Sequence, residues 1–182
     1  DLTLFTDDNE QSFCYWTDGF HMYGQEIDLD SYELIGSPFT CIRNENTKWD
    51  GIGIEGAFVI KRDGIYYMFY SSWTRGYEIG YATAIHPGGP WQKAQVNPIF
   101  GAQNQDVCKM NRMEFTGEPD SPYTAVGHNA IFKGPDGRDW IVCHYQEKDK
   151  NEALGFDPIW IEGGIIKSNG PTYTEQTVQC IT

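Results

Sequence analysis

The sequence predicts an all-β fold made of repeated β-propeller blades, and three observations support this prediction. Aromatic residues make up 15% of the 182 residues and glycine numbers 20, as expected for strands joined by tight turns. No window shows a convincing 3.6-residue apolar period, so we expect almost no helix. The third observation is an internal repeat, which is typical of propeller architectures.

Three segments of the chain share one pattern: a polar residue, a short run of β-forming residues, a turn and an aromatic-rich strand. They open at Asp1, Glu55 and His128. Their turns are Asp7-Asp8-Asn9, Arg62-Asp63-Gly64 and Pro135-Asp136-Gly137. Asp-Gly turns between apolar runs are strong signals for a β-hairpin. Each segment is therefore predicted to begin with a hairpin.

The spacing inside the three segments also agrees. The residues twelve positions after each opening residue are aromatic: Phe13, Tyr67 and Trp140. A further strand is predicted at 21–28 and at 77–84, and a short fourth strand near Trp91. Units of three or four antiparallel strands describe propeller blades. A β-sandwich with similar hairpins is the alternative, and the matched offsets favour the propeller.

We predict one partial propeller domain over residues 1–182, with blade-like repeats at about 1–50, 51–96 and 127–182. Residues 97–126 are rich in Gly, Pro and Asn, and we predict a long loop there. Such loops often frame the substrate rim of a propeller, although a plain surface excursion has the same composition.

Charge and composition exclude some functions. The formal net charge of −13 makes nucleic acid an unsuitable partner, whereas a neutral polysaccharide is not repelled. No stretch approaches ~18 consecutive apolar residues, so we expect no membrane span. The five cysteines cannot all pair with one another, and no N-x-S/T acceptor is present. Both features favour a reducing or bacterial setting but leave cytoplasm, periplasm and secretion open.

The three opening residues are the candidate site. Inner strands line the channel of a propeller, so Asp1, Glu55 and His128 should converge. Hydrolysis of a glycosidic bond needs a protonated carboxyl group and a second carboxylate, which makes a cluster of this kind a candidate hydrolase site. Close approach of like charges raises the pKa of a carboxyl group, and we expect this effect to keep Glu55 protonated.

The same segments resemble glycoside hydrolase family 43. IEGAFVIKRDGIYYMFYSSW at 54–73 is similar to the family's EGP-type motif, DLTLFTDD at 1–8 to its D-P-S-x-F-x-D-D segment, and GHNAIFKGPDG at 127–137 to its G-H-N/H-S segment. PGGPW at 87–91 matches a turn that closes a blade in the family. The resemblance extends through about Glu162. It departs from the family at Leu2, where proline is usual, and at 155–164, which lacks an arginine.

This resemblance implies a five-bladed propeller of which about three blades are represented in the chain. It implies an inverting glycosidase acting on arabinose- and xylose-containing plant polysaccharides or oligosaccharides, with Glu55 as general acid and Asp1 as modulator of its pKa. His128 would bind substrate at the channel centre and indirectly help to hold Ca²⁺, although no cofactor is required. The catalytic base is expected outside this chain, which alone can be inactive and which would associate with itself or with a chain carrying the missing blades.

Aromatic side chains supply candidate sugar-stacking surfaces. Trp73, Tyr77 and Trp49 could each stack on a sugar ring, or each could pack in the core. The alternative function is a non-catalytic carbohydrate-binding propeller, which the absence of a base favours. In the related fructan hydrolases the acidic Glu follows Trp and precedes Cys-Pro, a pattern that the stretch at 54–56 does not fit.

Overall fold

The computed structural model describes residues 1–178, and these form three consecutive antiparallel sheets arranged as propeller blades. The first blade contains β1 (Leu2–Thr6), β2 (Ser12–Thr17), β3 (His21–Ile27) and β4 (Leu34–Arg43). The second contains β5 (Glu55–Arg62), β6 (Ile65–Ser72), β7 (Gly76–Ala84), β8 (Gln92–Lys93) and β9 (Phe100–Gln103). The third contains β10 (Tyr123–Lys133), β11 (Asp139–Glu147), β12 (Ala153–Glu162) and β13 (Ile165–Ser168). The prediction of an all-β propeller with three blades is confirmed.

The segment 97–126 is not the structureless loop that its composition predicts. It contains β9, which pairs with β7, and a short helix, α1 (Gln105–Met110). Asn104 caps this helix by accepting hydrogen bonds from two backbone N–H groups. The strand β9 has only four residues and the helix α1 only six, so neither produces a clear hydrophobic period in the sequence. Within residues 1–178 no helix is long enough to cross a bilayer.

Two apolar cores hold the blades together. One lies between the first and second blades and includes Tyr15, Met22 and Tyr70, all fully buried. The other lies between the second and third blades and includes Phe69, Ile141 and Val126. The second blade is therefore covered on both faces. The four described cysteines, Cys14, Cys41, Cys108 and Cys143, are buried and free, and Cys180 lies outside the described residues.

Hairpin turns of neighbouring blades are joined by charged hydrogen bonds at the end of the sheets opposite Glu55. Asp7, predicted to be only a turn residue, accepts hydrogen bonds from Lys61 Nζ at 2.7 Å and from the Tyr66 hydroxyl at 2.6 Å. Arg62 donates to both carboxylate oxygens of Asp139, at 2.9 and 2.6 Å. The Arg62–Asp139 pair is bidentate and geometrically specific, and both sets of contacts link the turns of neighbouring blades.

The outer faces of the first and third blades expose apolar side chains. Leu2 is 66% exposed, Leu154 is 65% exposed, and Leu4 and Phe156 lie beside them. We predict that the isolated chain associates or is marginally stable, because burial of blade faces is what stabilises a propeller. Replacing Leu154 with Gln should weaken the association in sedimentation velocity, whereas Ile85→Gln, in the turn after β7, should not. A monomer that melts cooperatively at high temperature would contradict this prediction.

Candidate active site

The structure brings the three opening residues of the blades to one point. Asp1 precedes β1, Glu55 begins β5, and His128 lies in β10, and these are the first strands of their sheets. A carboxylate oxygen of Asp1, a carboxylate oxygen of Glu55 and an imidazole nitrogen of His128 all lie within 4.8 Å of one another. Neighbouring members of this set are more than fifty positions apart in the sequence, yet together they form one polar cluster at the channel.

Local backbone geometry explains how the imidazole reaches the carboxylate. His128 sits in a β-bulge between Gly127 and Ala130 and has a φ of 55°. A bulge re-aims a side chain, and a positive φ is uncommon for a residue with a Cβ. The N–H of His128 donates to the Ser71 hydroxyl at 2.9 Å, which holds the bulge in place. Gly56 has a φ of 65°, a conformation that favours glycine, and a Cβ there would lie in ordinary contact with the ring, 3.4 Å from Cγ of His128.

Tyr77 contacts the cluster through its hydroxyl group. The hydroxyl donates a hydrogen bond to Glu55 Oε1 and lies 3.3 Å from Nδ1 of His128. Its ring packs tightly over Gly127, where a Cβ would come within 2.3 Å of Tyr77 Cδ1. Burial and the adjacent Glu55 carboxylate raise the pKa of the Tyr77 hydroxyl far above its usual range, so that Tyr77 remains a donor. Tyr77 is thus placed to orient Glu55, a contact that sequence reasoning missed.

The pKa of Glu55 lies below its usual value, which differs from the elevation expected from the sequence. His128, whose Nδ1 lies 3.8 Å from Glu55 Oε1, and the Tyr77 hydroxyl both stabilise the carboxylate, and partial burial does not outweigh them. The nearest neighbours of Glu55 are thus groups that favour the ionised form. The neighbours that Glu55 has within this chain thus act against its protonation.

Two further residues next to His128, one in space and one in sequence, were not predicted from the sequence. The ring of His144 stacks on His128, with centroids 5.7 Å apart and planes 14° from parallel. Asn129 is buried, and neither its Oδ1 nor its Nδ2 has a hydrogen-bond partner among residues 1–178. Asn129 follows His128 in the motif GHN at 127–129, and this motif was a sequence signal for the residue. His144 has no such signal, because its position depends on the pairing of β10 with β11.

The predicted aromatic platforms take different places. Trp73 is half-buried over Gly53, where a Cβ would come within 2.4 Å of Trp73 Cζ2. The Trp49 ring lies 5.3 Å from the Tyr70 ring, with the planes tilted by 36°, and it covers Gly80, so that it packs against the core between the first two blades. Both indole rings are partly buried, and each keeps some exposed surface.

The cluster fits direct coordination of Ca²⁺ poorly. Calcium takes about six to eight oxygen ligands, whereas Asp1, Glu55 and His128 supply oxygens from only two side chains. A cation bound directly would also keep Glu55 ionised, which is incompatible with proton donation. Any Ca²⁺ near the channel would therefore be held through water.

Comparison with known proteins agrees with the fold and the motifs. Residues 1–162 match the sequence profile of the glycosyl hydrolases family 43. The chain therefore belongs to glycoside hydrolase family 43. It is 28% identical over 149 residues to a beta-D-galactofuranosidase of Aspergillus niger, covering 80% of this chain and 36% of that protein. It is 28% identical over 112 residues to a non-reducing end alpha-L-arabinofuranosidase of Bacteroides ovatus, covering 59% of this chain and 18% of that protein.

Solved structures of the family share the architecture. A thermostable family-43 glycoside hydrolase superposes with a TM-score of 0.77 at 30% identity, covering 97% of this chain and 59% of that one. An endo-1,4-beta-xylanase of Bacteroides thetaiotaomicron superposes with a TM-score of 0.73 at 24% identity, covering 93% of this chain and 58% of that one, and at this identity it shows the fold alone. The chain therefore spans more than half of these structures and about a third or less of the curated relatives.

Replacing Tyr77 with Phe should raise the pKa of Glu55 toward its ordinary value, because a donor to the carboxylate is removed. A depressed carboxyl pKa contributes stability that is present above the unfolded-state pKa and lost as pH falls through the folded-state pKa. The variant should therefore lose part of this acid-sensitive stability. NMR titration of the Glu55 carboxyl carbon measures the effect directly. Tyr123→Phe, which loses a hydroxyl bonded to the Thr172 carbonyl, is the control; an unchanged Glu55 pKa in Tyr77→Phe would refute the proposed contact.

Proposed function

We propose that the protein containing this chain is an inverting glycosidase that acts on arabinose- or xylose-containing plant polysaccharides or oligosaccharides. The convergence of Asp1, Glu55 and His128 on one point of a family 43 propeller carries this proposal. The similarity to a non-reducing end alpha-L-arabinofuranosidase of Bacteroides ovatus supports the substrate class.

Glu55 is the proposed general acid. As the glycosidic C–O bond breaks, the Glu55 carboxyl group gives its proton to the leaving oxygen. A carboxylate from outside this chain takes a proton from water, and the water oxygen attacks the anomeric carbon from the opposite face. This geometry inverts the configuration and requires the two carboxyl groups to be roughly 6.5–9.5 Å apart, which leaves room for the water.

Protonation of Glu55 requires influences that oppose its two stabilising neighbours. Asp1 is one of them, because an anion within a few ångströms disfavours ionisation of Glu55. A bound sugar is another, because it would displace water from the half-exposed carboxylate and raise its pKa by desolvation. In this proposal His128 and Trp73 contact the sugar, and the Tyr77 hydroxyl keeps Glu55 pointed at the scissile bond.

A non-catalytic carbohydrate-binding propeller is the second candidate, favoured by the lowered pKa of Glu55. A carboxylate that stays ionised is suited to accept hydrogen bonds from sugar hydroxyls. Isothermal titration with arabino- and xylo-oligosaccharides, run beside a hydrolysis assay on the full-length protein, separates the two candidates. Binding without turnover would support the binding protein, and turnover would exclude it.

We also propose that Ca²⁺ binds near the channel centre, through water beside His128, and is dispensable for the reaction. Calcium should raise the thermal midpoint of the full-length protein and a chelator should reverse the rise, with little change in turnover. An unchanged midpoint would remove the ion from this proposal, and abolished turnover would show that it is essential.

Replacing Glu55 with Gln in the full-length enzyme should reduce turnover of natural glycosides by about 10²–10⁴-fold, because a general acid contributes that much. Shape is nearly unchanged, so affinity should change little. Dinitrophenyl glycosides, whose leaving group needs no proton, should lose much less. An equal loss for both substrates would contradict the general-acid assignment and leave Glu55 as a carboxylate that binds sugar hydroxyls.

Replacing Asp1 with Asn should lower the pKa of Glu55, because removal of a nearby anion makes ionisation easier. The alkaline limb of the pH–rate profile should therefore move to lower pH. Asp63→Asn makes the same change of charge at the far end of β5 and is the control. A profile for Asp1→Asn that coincides with this control would exclude Asp1 as the modulator.

A further inference from the structure

A second cleft lies over the second blade, and we call it the rim cleft. One wall is the loop before β5, at residues 46–52, and the other is the segment 111–116 after α1. Thr74 and Arg75 lie between the walls. The rim cleft has a volume of about 650 Å³, and sites for small molecules are typically about 300–1,000 Å³.

The rim cleft opens at the same end of the blade as Glu55. Glu55 pairs with Ser71 in the antiparallel β5–β6 ladder, so the turn that follows β6 and carries Thr74 lies at the Glu55 end. Ile52, which lines the cleft, precedes Glu55 by three residues, so their Cα atoms are at most about 10 Å apart. A single oligosaccharide can therefore occupy both places.

Hydrogen bonds hold the two walls of the rim cleft at a fixed separation. Thr74 is 1% exposed; its hydroxyl oxygen accepts from the N–H of Ile52 at 2.9 Å, and its carbonyl accepts from Asn111 Nδ2 at 2.8 Å. Farther out, the Gln103 side chain both accepts from the N–H of Thr116 and donates to its hydroxyl. The cleft is therefore formed before any ligand binds.

The charge of the rim cleft is opposite to that of the chain. In the whole sequence Asp and Glu number 26 and Lys and Arg number 13. The lining residues reverse this excess, with the cations Lys48, Arg75 and Arg112 and the single acid Glu114. Arg75 is held by Glu78, at 2.9 Å, which leaves Lys48 and Arg112 as exposed cations on opposite walls. A positive site on a strongly negative protein selects for an anionic ligand.

The remaining lining groups suit a sugar ring. Amide side chains of Asn46, Asn97 and Asn111 offer donors and acceptors for hydroxyl groups. Trp49 and Met113 supply apolar surface on the two walls. Small-molecule sites usually combine apolar or aromatic surface with a few polar groups. A sugar can pack its C–H groups on the apolar surface and form hydrogen bonds with the polar groups through its hydroxyls.

We infer that the rim cleft binds a uronic-acid unit of the substrate, with Lys48 and Arg112 contacting its carboxylate while neighbouring sugars occupy the site at Glu55. This inference rests on the proposed carbohydrate function and adds a preference for acidic oligosaccharides. Lys48 comes from the loop before β5 and Arg112 from the segment between the second and third blades, so the preference would need both walls of the cleft.

The test measures affinity of the full-length protein for a xylo-oligosaccharide carrying one glucuronic-acid branch and for its unbranched counterpart. Glu55→Gln serves as the background, so that neither ligand is consumed. The acidic ligand should bind more tightly, and Lys48→Gln with Arg112→Gln should weaken its binding by about tenfold, the usual effect of losing hydrogen bonds to a charged group. Binding of the neutral ligand should be unchanged. Lys109→Gln with Lys150→Gln removes the same charge outside the cleft and is the matched control.

Three outcomes decide the matter. Selective loss of the acidic ligand in the Lys48 and Arg112 variant supports the rim cleft. Equal affinity for both ligands, or an equal loss in the control variant, overturns it while leaving the glycosidase proposal intact. Binding of neither ligand overturns both the rim cleft and the proposed carbohydrate function.

Discussion

The close approach of β10 to β5 and β7 is the constraint on which the candidate site depends. Gly127 in β10 leaves room for the ring of Tyr77 in β7, because a Cβ there would come within 2.3 Å of Tyr77 Cδ1. A side chain at this position would displace the ring whose hydroxyl donates to the Glu55 carboxylate. The bulge at His128, held by Ser71, turns the imidazole toward the same carboxylate. The arrangement of groups at the channel thus follows from the packing of β10 against the second blade.

The protonation state of Glu55 distinguishes the proposed catalytic role from the proposed binding role. His128 and Tyr77 stabilise its carboxylate and lower its pKa. The Asp1 carboxylate lies within 4.8 Å, and a like charge at that distance acts in the opposite direction. The same three neighbours could serve a general acid once a sugar removes water, or a permanent carboxylate that binds hydroxyl groups. Because these influences have opposite signs, a small change in the surroundings of Glu55 changes its pKa. Binding of a sugar, which removes water from the carboxylate, is such a change.

The segment between the second and third blades contributes to the face that carries Glu55. The segment between the second and third blades adds β9 to the second sheet and places α1 against the turn at Arg75 and Gly76, where Cys108 Sγ donates to the Arg75 carbonyl. Its last residues then face the loop before β5 across the rim cleft. The inner strands carry Glu55 and His128, and the segment between the second and third blades forms one wall of the rim cleft.

The all-β class, the three hairpins and the grouping of Asp1, Glu55 and His128 were predictable from the sequence, because hairpin turns and strand alternation are local signals that recur at matching offsets. The hydrogen bond from Tyr77 to Glu55, the stacking of His144 on His128 and the unsatisfied amide of Asn129 were not. The positions of His144 and Asn129 depend on the bulge in β10, which shifts the register without a strong local signal, and the Tyr77 contact depends on how β7 meets β5 within the second blade. The sequence by itself determined which residues head the inner strands. Only the tertiary structure decided the direction in which the pKa of Glu55 shifts, because a pKa depends on neighbours brought together from distant parts of the chain.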